Sequence, residues 1–248
     1  MAPNPFAAIT GLLTRRLDDW ANGSGRWPGR CAICRAWPAH SLCERCVSQF
    51  ASPVARCLRC ALPVPAGVDC CGACLRHPPA HARCLAAVDY GWPWSELIAQ
   101  FKFQGRSGWA RHLASLMLAT EGMPELLDEV DLVTGIPISR ERLAQRGYNQ
   151  SLLLARALCP HKFHDSLLVR LQDAPAQHSL SRRERLRNLQ GHLAPEPAQA
   201  RQLRGRHVLL VDDVMTSGAT LDIAARTLLE AGAARVSAAV LARTPAPD

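Results

Sequence analysis

The chain of 248 residues is long enough to bury a full core in one large domain or two, and 48% apolar with 20% charged residues is ordinary globular composition. The net charge of +8, from 29 basic and 21 acidic residues, favours phosphates or nucleic acid as partners. The sequence shows no signal-peptide pattern and no apolar run of about 18 residues, so we expect a cytoplasmic protein without a membrane span.

Residues 1–25 form an N-terminal segment whose sequence predicts at most a short packing helix. The segment that follows them is rich in cysteine. Eight of the eleven cysteines form four C-x-x-C pairs, and two such pairs supply the four thiolates of a tetrahedral metal site. A reducing compartment disfavours disulfides, so residues 26–84 are interpreted as a small zinc module that replaces an apolar core. The predicted ligands are Cys31, Cys34, Cys43, Cys46, Cys57, Cys60, Cys71 and Cys74.

The pairing of these cysteines stays open at this stage. Two successive structural zinc ions are the simplest assignment, and interleaved pairs are the alternative. An iron–sulfur cluster or a redox dithiol would use the same spacing. A site closed by four thiolates has no open position, so no catalysis is assigned to it. The remaining Cys70, Cys84 and Cys159 are interpreted as small buried apolar residues.

Strand-like and helix-like segments alternate after Cys84, which predicts an α/β domain over residues 85–248. Residues 195–202, rich in proline, alanine and glutamine, are interpreted as a linker. The predicted strands are residues 85–92, 130–138, 208–211 and 236–241, and the predicted helices are residues 94–103, 109–119 and 221–229.

Residues 207–220, HVLLVDDVMTSGAT, combine an apolar run, two acids and a small-residue turn. The apolar run predicts a buried strand of a parallel sheet, and Asp212 and Asp213 follow at its carboxyl end, where such sheets bind ligands. These carboxylates could accept hydrogen bonds from a vicinal diol or hold a divalent ion. The turn begins a helix, and backbone N–H groups there can bind phosphate, with an ordinary strand, turn and helix as the alternative. The predicted phosphate residues are Thr216, Ser217, Gly218, Ala219 and Thr220.

This pattern resembles the phosphoribosyl pyrophosphate (PRPP) motif of type I phosphoribosyltransferases. The resemblance implies their fold, a parallel sheet flanked by helices under a flexible hood. It also implies that Asp212 and Asp213 hold the ribose hydroxyls of PRPP and that residues 216–220 surround the 5′-phosphate. The turn after residues 130–138 would receive magnesium pyrophosphate, unless it is a plain strand-to-helix turn. The candidates there are Gly135, Ile136, Pro137, Ile138 and Ser139.

Arg142 and Arg146 lie one helical turn apart, a spacing that suits a polyphosphate or a solvated charged helix. The sequence R-G-Y-N-Q at 146–150, the V-D-D-V-M-T-S-G-A-T loop, the closing L-A-R-T at 241–244 and the cysteine pairs together resemble the ComF (ComFC/GntX) family. Five residues with a characteristic spacing in the predicted hood resemble the same family. The similarity runs over residues 31–244. The hood set consists of Arg170, Gln177, Leu180, Arg185 and Asn188.

The ComF resemblance implies a role in the uptake or processing of single-stranded DNA during natural transformation. The implied partners are PRPP, single-stranded DNA, a competence helicase and recombination mediator proteins, in the cytoplasm or at the inner face of its membrane. No base substrate is identifiable, so enzymatic turnover stays open. A nucleotide-salvage phosphoribosyltransferase and a PRPP-sensing adaptor without turnover are the alternatives.

The predicted hood is strongly basic. Such a cluster could close over a charged ligand or contact a nucleic-acid backbone, and a solvated basic helix is the alternative. The candidate residues are Arg170, Gln177, Arg182, Arg183, Arg185, Arg187 and Asn188.

Overall fold

The computed structural model describes residues 29–170 and 193–246, and the chain divides after Phe50 into two compact units. The short helix predicted within residues 1–25 and the hood candidates between 177 and 188 lie outside the described residues. Within the part of the chain that is described, no helix is both long enough and apolar enough to cross a membrane.

The first unit contains one cysteine region and a short helix, α1 (Glu44–Phe50). The backbone N–H of Arg35 donates to the carbonyl of Cys31 at 3.0 Å, and Gly29 pairs with Ala39 in an isolated antiparallel bridge. These contacts close a tight turn around the first C-x-x-C pair.

The second unit contains the other cysteine region and an α/β domain. The helices are α2 (Gly72–Arg76), α3 (Trp94–Phe103), α4 (Trp109–Leu118), α5 (Met123–Glu129), α6 (Arg140–Arg146), α7 (Gln150–Leu158), α8 (Ala200–Leu203) and α9 (Ala219–Glu230). The strands are β1 (Cys84–Asp89), β2 (Leu132–Gly135), β3 (Leu168–Arg170), β4 (Leu193–Pro195), β5 (His207–Met215) and β6 (Arg235–Arg243).

Four strands form one parallel sheet in the order β1-β6-β5-β2, while β3 and β4 form an antiparallel pair. Strand β5 lies inside the sheet, and its residues Val208, Leu209, Leu210 and Val211 are fully buried. Helices cover such a sheet on both faces, which explains the unbroken apolar run. The predicted parallel α/β architecture is therefore confirmed.

Several element bounds differ from those predicted, and strand β1, for example, ends at Asp89 rather than at residue 92. Strand β5 continues through both acids because it pairs with β6 as far as Met215, opposite Arg243. Strand β2 is shorter, since its pairing with β5 ends at Gly135 and Pro137 has no N–H to continue it. The predicted linker at 195–202 instead holds the end of β4, a 3₁₀ turn at Pro197–Gln199 and most of α8.

The turns after β2 and β5 lie side by side at the carboxyl edge of the sheet, because these two strands are neighbours. In open α/β sheets ligands bind outside the carboxyl ends of the strands. The fold thus brings both predicted ligand turns to one edge of the sheet.

The second cysteine region packs directly on this sheet. The N–H of Cys84 donates to the carbonyl of Leu58 at 2.8 Å, and the N–H of Ala82 donates to Val236 at 2.7 Å. Arg56 forms an ion pair of 2.8 Å with Asp89 at the end of β1. The two belong to one compact unit, and a domain boundary near residue 84 stays a prediction.

Candidate functional site

The turn between β5 and α9 is short and requires a glycine. Gly218 has a φ of 77° and stands at the N-terminus of the twelve-residue α9. A β-carbon on Gly218 would lie 2.5 Å from the terminal carbon of Met215, so a larger residue would be both strained and crowded. The backbone N–H groups at the start of α9 consequently face an accessible turn, in which Thr216 is exposed.

The two acids of β5 have different partners. Asp212 Oδ1 accepts a hydrogen bond from the Ser151 hydroxyl at 2.8 Å and from the backbone N–H of Asp213 at 2.9 Å. Asp213 Oδ1 lies 2.9 Å from Lys102 Nζ, and both of these side chains are largely buried. The acid pair is therefore part of a polar cluster built from the two helices α3 and α7 and the strand β5.

The close packing of the acids changes the protonation of one of them. Burial among protein atoms, followed by the negative charge of Asp213, raises the pKa of Asp212 to about 7. The Ser151 hydroxyl and the Lys102 ammonium group act in the opposite direction and only partly offset these effects. Near neutral pH the pair is poised to bind an additional proton or cation.

The R-G-Y-N-Q sequence holds the end of α3 that carries Lys102. The hydroxyl of Tyr148 donates to the carbonyl of Phe101, and the side-chain amide of Gln150 donates to the carbonyl of Lys102 at 3.4 Å. Arg146 donates to Gln150 at 3.1 Å. These contacts position the ammonium group of Lys102 against Asp213.

The turn after β2 is joined to the same cluster through helix α7. Asn149 caps α7, and its side-chain amide donates to the carbonyl of Ile136 at 2.9 Å. A β-carbon on Gly135 would lie 2.4 Å from the backbone nitrogen of Leu152, so α7 approaches β2 as closely as glycine permits. Ser151 on this helix is thereby brought within reach of Asp212.

The predicted pyrophosphate residues lie between β2 and the end of α6. Pro137 and Ile138 are half-buried in the turn, and the Ser139 hydroxyl accepts from the N–H of Arg142 at 3.2 Å as the cap of α6. Arg146 ends α6 with its guanidinium group 4.9 Å from the centre of the Phe103 ring. Their role towards pyrophosphate stays a prediction. Arg170 ends β3 at the border of the described residues.

Sequence reasoning missed Lys102 and Ser151. Lys102 stands near the end of a helix between two aromatic residues, and no local pattern distinguishes it from a lysine in solvent. Ser151 directly follows R-G-Y-N-Q, but only the tertiary fold shows that its hydroxyl contacts an acid on β5.

The eight paired cysteines form two separate clusters in chain order. In each cluster the four sulfur atoms lie within 4.8 Å of one another, close enough for one metal ion to bind all four. Successive pairing is thus observed rather than interleaved pairing. The clusters are Cys31, Cys34, Cys43 and Cys46 in the first unit and Cys57, Cys60, Cys71 and Cys74 in the second.

One thiol in each cluster favours the thiolate form, while burial raises the pKa of Cys43 and Cys46 in the first cluster and of Cys60 and Cys74 in the second. Although burial acts in the opposite direction, hydrogen bonds from backbone N–H groups lower the pKa of Cys31 to about 6 and that of Cys57 to about 7. N–H donors favour the thiolate, which is the form that binds metal.

The leftover cysteines are not all buried as predicted. Cys84 is buried, and this burial raises its pKa to about 12. Cys70 and Cys159 are half-buried, so the prediction was wrong for them. The physical reason is their position, since Cys70 precedes a cysteine pair in a loop and Cys159 follows the last residue of α7.

Comparison with known proteins connects this site to a family. Residues 168–247 match the model of the phosphoribosyl transferase domain. The "DNA utilization protein YhgH" of Salmonella typhimurium is 36% identical over 230 residues, which cover 88% of this chain and 98% of that protein. "Competence protein F" of Haemophilus influenzae is 28% identical over 225 residues, covering 86% of this chain and 96% of that protein. The chain belongs to the ComF family.

A further ComF relative is "Competence protein ComFC" of Bacillus subtilis, which is 33% identical over 150 residues, covering 60% of this chain and 59% of that protein. The resemblance seen in the R-G-Y-N-Q sequence and the acid-containing loop is therefore confirmed. The phosphoribosyltransferase fold of this ComF protein is likewise confirmed by the parallel sheet and the matched domain.

We expect the purified full-length chain to carry two metal ions, because each cysteine cluster offers a complete set of four ligands. Cys34→Ser and Cys71→Ser should each lower the content to one ion by elemental analysis. Metal binding to such sites contributes apparent free energies of about 10 kcal/mol or more, so chelation should unfold the cysteine regions. A wild-type stoichiometry of one would contradict two independent sites.

We also expect Asp212→Asn to change how stability depends on pH. Between the ordinary pKa of 3.8 and the folded pKa of about 7, the folded protein keeps a proton on Asp212 that the unfolded chain has released. The free energy of unfolding therefore falls as pH rises through this window, by at most about 1.4 kcal/mol per pH unit, and is constant above it. In the Asp212→Asn variant this position has no carboxyl group, so the free energy of unfolding does not fall with pH for this reason.

Urea unfolding measured from pH 4 to pH 9 tests this expectation. The stability of Asp212→Asn relative to wild type should increase up to a pH of about 7 and then level off. Asp128→Asn is the matched control, because this exposed aspartate lies outside the cluster and should give a flat difference. A flat difference for Asp212→Asn as well would contradict the raised pKa.

Proposed function

We propose that this ComF protein binds magnesium–PRPP at the carboxyl edge of its sheet and acts in the uptake or processing of single-stranded DNA during natural transformation. The observation that carries the proposal is the pair Asp212 and Asp213, held by Ser151 and Lys102, directly before the turn at Gly218. A ribose 5-phosphate has a diol at one end and a phosphate at the other. Carboxylates can accept hydrogen bonds from the diol, and a helix N-terminus can bind the phosphate.

In the proposed complex the ribose hydroxyls donate to the carboxylates of Asp212 and Asp213. The 5′-phosphate accepts hydrogen bonds from backbone N–H groups of residues 216–220, where the dipole of α9 favours negative charge. Gly218 leaves room for this close approach because it has no side chain. The rigid strand β5 and the start of α9 support the proposal, because groups held on rigid elements lose little conformational entropy on binding.

Lys102 has a second role in this proposal. Its ammonium group neutralises Asp213 in the structure described here, and it can contact a pyrophosphate oxygen once the ribose hydroxyls satisfy that carboxylate. Arg146 and the turn of Pro137, Ile138 and Ser139 would complete the pyrophosphate site. Magnesium would neutralise charge on the pyrophosphate, and carboxylates and phosphate oxygens are the ligands it prefers.

The proposed DNA role is supported by the printed names of the relatives, one a DNA utilization protein and two competence proteins. The net charge of +8 suits a polyanion. We assign the DNA contacts to hood arginines, Arg170, Arg182, Arg183, Arg185 and Arg187, beside the polar residues Gln177 and Asn188. A competence helicase and recombination mediator proteins are the proposed protein partners, at the inner face of the cytoplasmic membrane.

Zinc is the metal that we propose for both cysteine clusters. Four thiolates in a compact cluster are typical of structural zinc, which has no redox chemistry and no need of an open position. The two ions would stabilise the cysteine regions, which contain only the short helices α1 and α2.

Binding of magnesium–PRPP can be measured by calorimetry on three variants. Asp213→Asn and Lys102→Met should each weaken binding by about tenfold or more, because each loses a hydrogen bond to a charged group. Lys102→Arg keeps the charge and should bind more tightly than Lys102→Met. Asp128→Asn is again the control and should bind as wild type does. Unchanged affinity for Asp213→Asn would refute the site.

Single-stranded DNA binding can be separated from salvage chemistry by two readouts. Each phosphate contact on a single strand contributes a slope of about −0.7 to log K against log salt, so replacing Arg182 and Arg183 by Gln should flatten the slope by about 1.4. The same variant should lower transformation frequency. Base-dependent pyrophosphate release that these arginines do not influence would support the salvage enzyme instead. PRPP binding without DNA binding or turnover would support the adaptor.

A further inference from the structure

Arg243, the last residue of β6, is a buried cation whose hydrogen bonds converge on two functional regions. Its side chain belongs to a residue that is only 4% exposed. Nη1 donates to the carbonyl of Met215 at 3.1 Å, to that of Thr216 at 2.6 Å and to the neighbouring Thr244 carbonyl at 2.6 Å. Nε donates to the carbonyl of Cys60 at 2.8 Å. One guanidinium group therefore joins the end of β6 to two segments that are distant in sequence, residues 215–216 and Cys60.

Two of these acceptors belong to the proposed phosphate turn. Met215 ends β5, and Thr216 is the first residue of the turn that leads to Gly218. The N–H of Thr244 donates to the Met215 carbonyl at 3.1 Å, which ties the end of β6 to the same point. Arg243 thus fixes the backbone at which the turn leaves the sheet.

A third acceptor belongs to the second cysteine cluster. Cys60 contributes its sulfur atom to that cluster and its carbonyl to Arg243. Within residues 29–170 and 193–246, no carboxylate forms an ion pair with Arg243. Backbone carbonyls, that of Cys60 among them, are the acceptors that compensate this buried cation.

Helix α9, which follows the turn, also forms a hydrogen bond with the second cysteine region. Asp222, in the first turn of α9, accepts a hydrogen bond of 2.6 Å from the backbone N–H of Ala80. Cys84 also places its sulfur 3.7 Å from that of Met215. The segment that carries the second cluster consequently contacts the proposed phosphate turn where it begins and where it ends.

We propose, on the basis of the function proposed above, that Arg243 is a positioning residue for the phosphate turn and that it makes ligand affinity depend on the metal of the second cysteine cluster. Loss of that metal loosens the loop that presents the Cys60 carbonyl to Arg243. Arg243 then holds residues 215–216 less firmly, and the N–H groups of the turn lose their alignment. The first cluster belongs to the other compact unit.

Calorimetric titration of full-length variants with magnesium–PRPP tests this role. Arg243→Met should retain two metal ions yet bind about tenfold more weakly or worse, because several hydrogen bonds from a charged donor are lost. Arg243→Lys should recover part of the affinity. Cys71→Ser should lose one ion and weaken binding to a similar extent. Cys34→Ser should also lose one ion and bind within about twofold of wild type, since the cysteine whose carbonyl accepts from Arg243 is Cys60 of the second cluster.

Two further measurements keep the result decisive. Combining Arg243→Met with Cys71→Ser should weaken binding no more than either change alone, because both act through one contact. Hydrogen exchange at residues 216–218 of the wild-type chain should accelerate when chelation removes both metal ions, whereas loss of the first ion alone in Cys34→Ser should leave it unchanged.

Unchanged exchange at the turn after metal loss would overturn the proposal, as would equal effects of Cys34→Ser and Cys71→Ser on affinity. If the wild-type chain does not bind magnesium–PRPP, the proposed function fails, but the exchange measurement still decides whether Arg243 and the metal hold the turn.

Discussion

The candidate site depends on the fixed position of strand β5. The strand is paired on one edge with β2 and on the other with β6, and its residues 208–211 have no exposed surface. Moving it would break two hydrogen-bonded ladders and expose apolar area worth about 25 cal/mol per Å². Asp212 and Asp213, at the end of this strand, therefore keep their position whether or not a ligand is bound.

This fixed position has an electrostatic cost. Two adjacent carboxylates lose hydration and repel each other, which is why the pKa of Asp212 rises through burial and the charge of Asp213. Ser151 and Lys102 offset only part of that cost. A ligand that brings hydroxyl donors and a divalent cation would offset more of it. The cluster therefore has the preorganised polar groups that the ligand proposed above requires.

The parts of the fold that sequence could predict are those with local signals. The apolar run of β5, the acids after it and the spacing of the cysteines each lie within a few residues, and each was found in the structure. The contact of Lys102 with Asp213 joins two distant segments, so no periodicity could indicate it. For the same reason Tyr148 and Gln150 gave no sign that they hold the end of α3.

The division of the two cysteine regions between compact units is another feature that the sequence could not predict. Sequence predicted one module over residues 26–84, whereas the four cysteines from Cys57 onward share a compact unit with the sheet and those from Cys31 to Cys46 belong to the other. The second region is joined to the sheet by contacts between distant segments, among them the hydrogen bond from Arg243 Nε to the Cys60 carbonyl. Such contacts have no local signal in the sequence, so only the fold shows that the second cluster packs with the sheet.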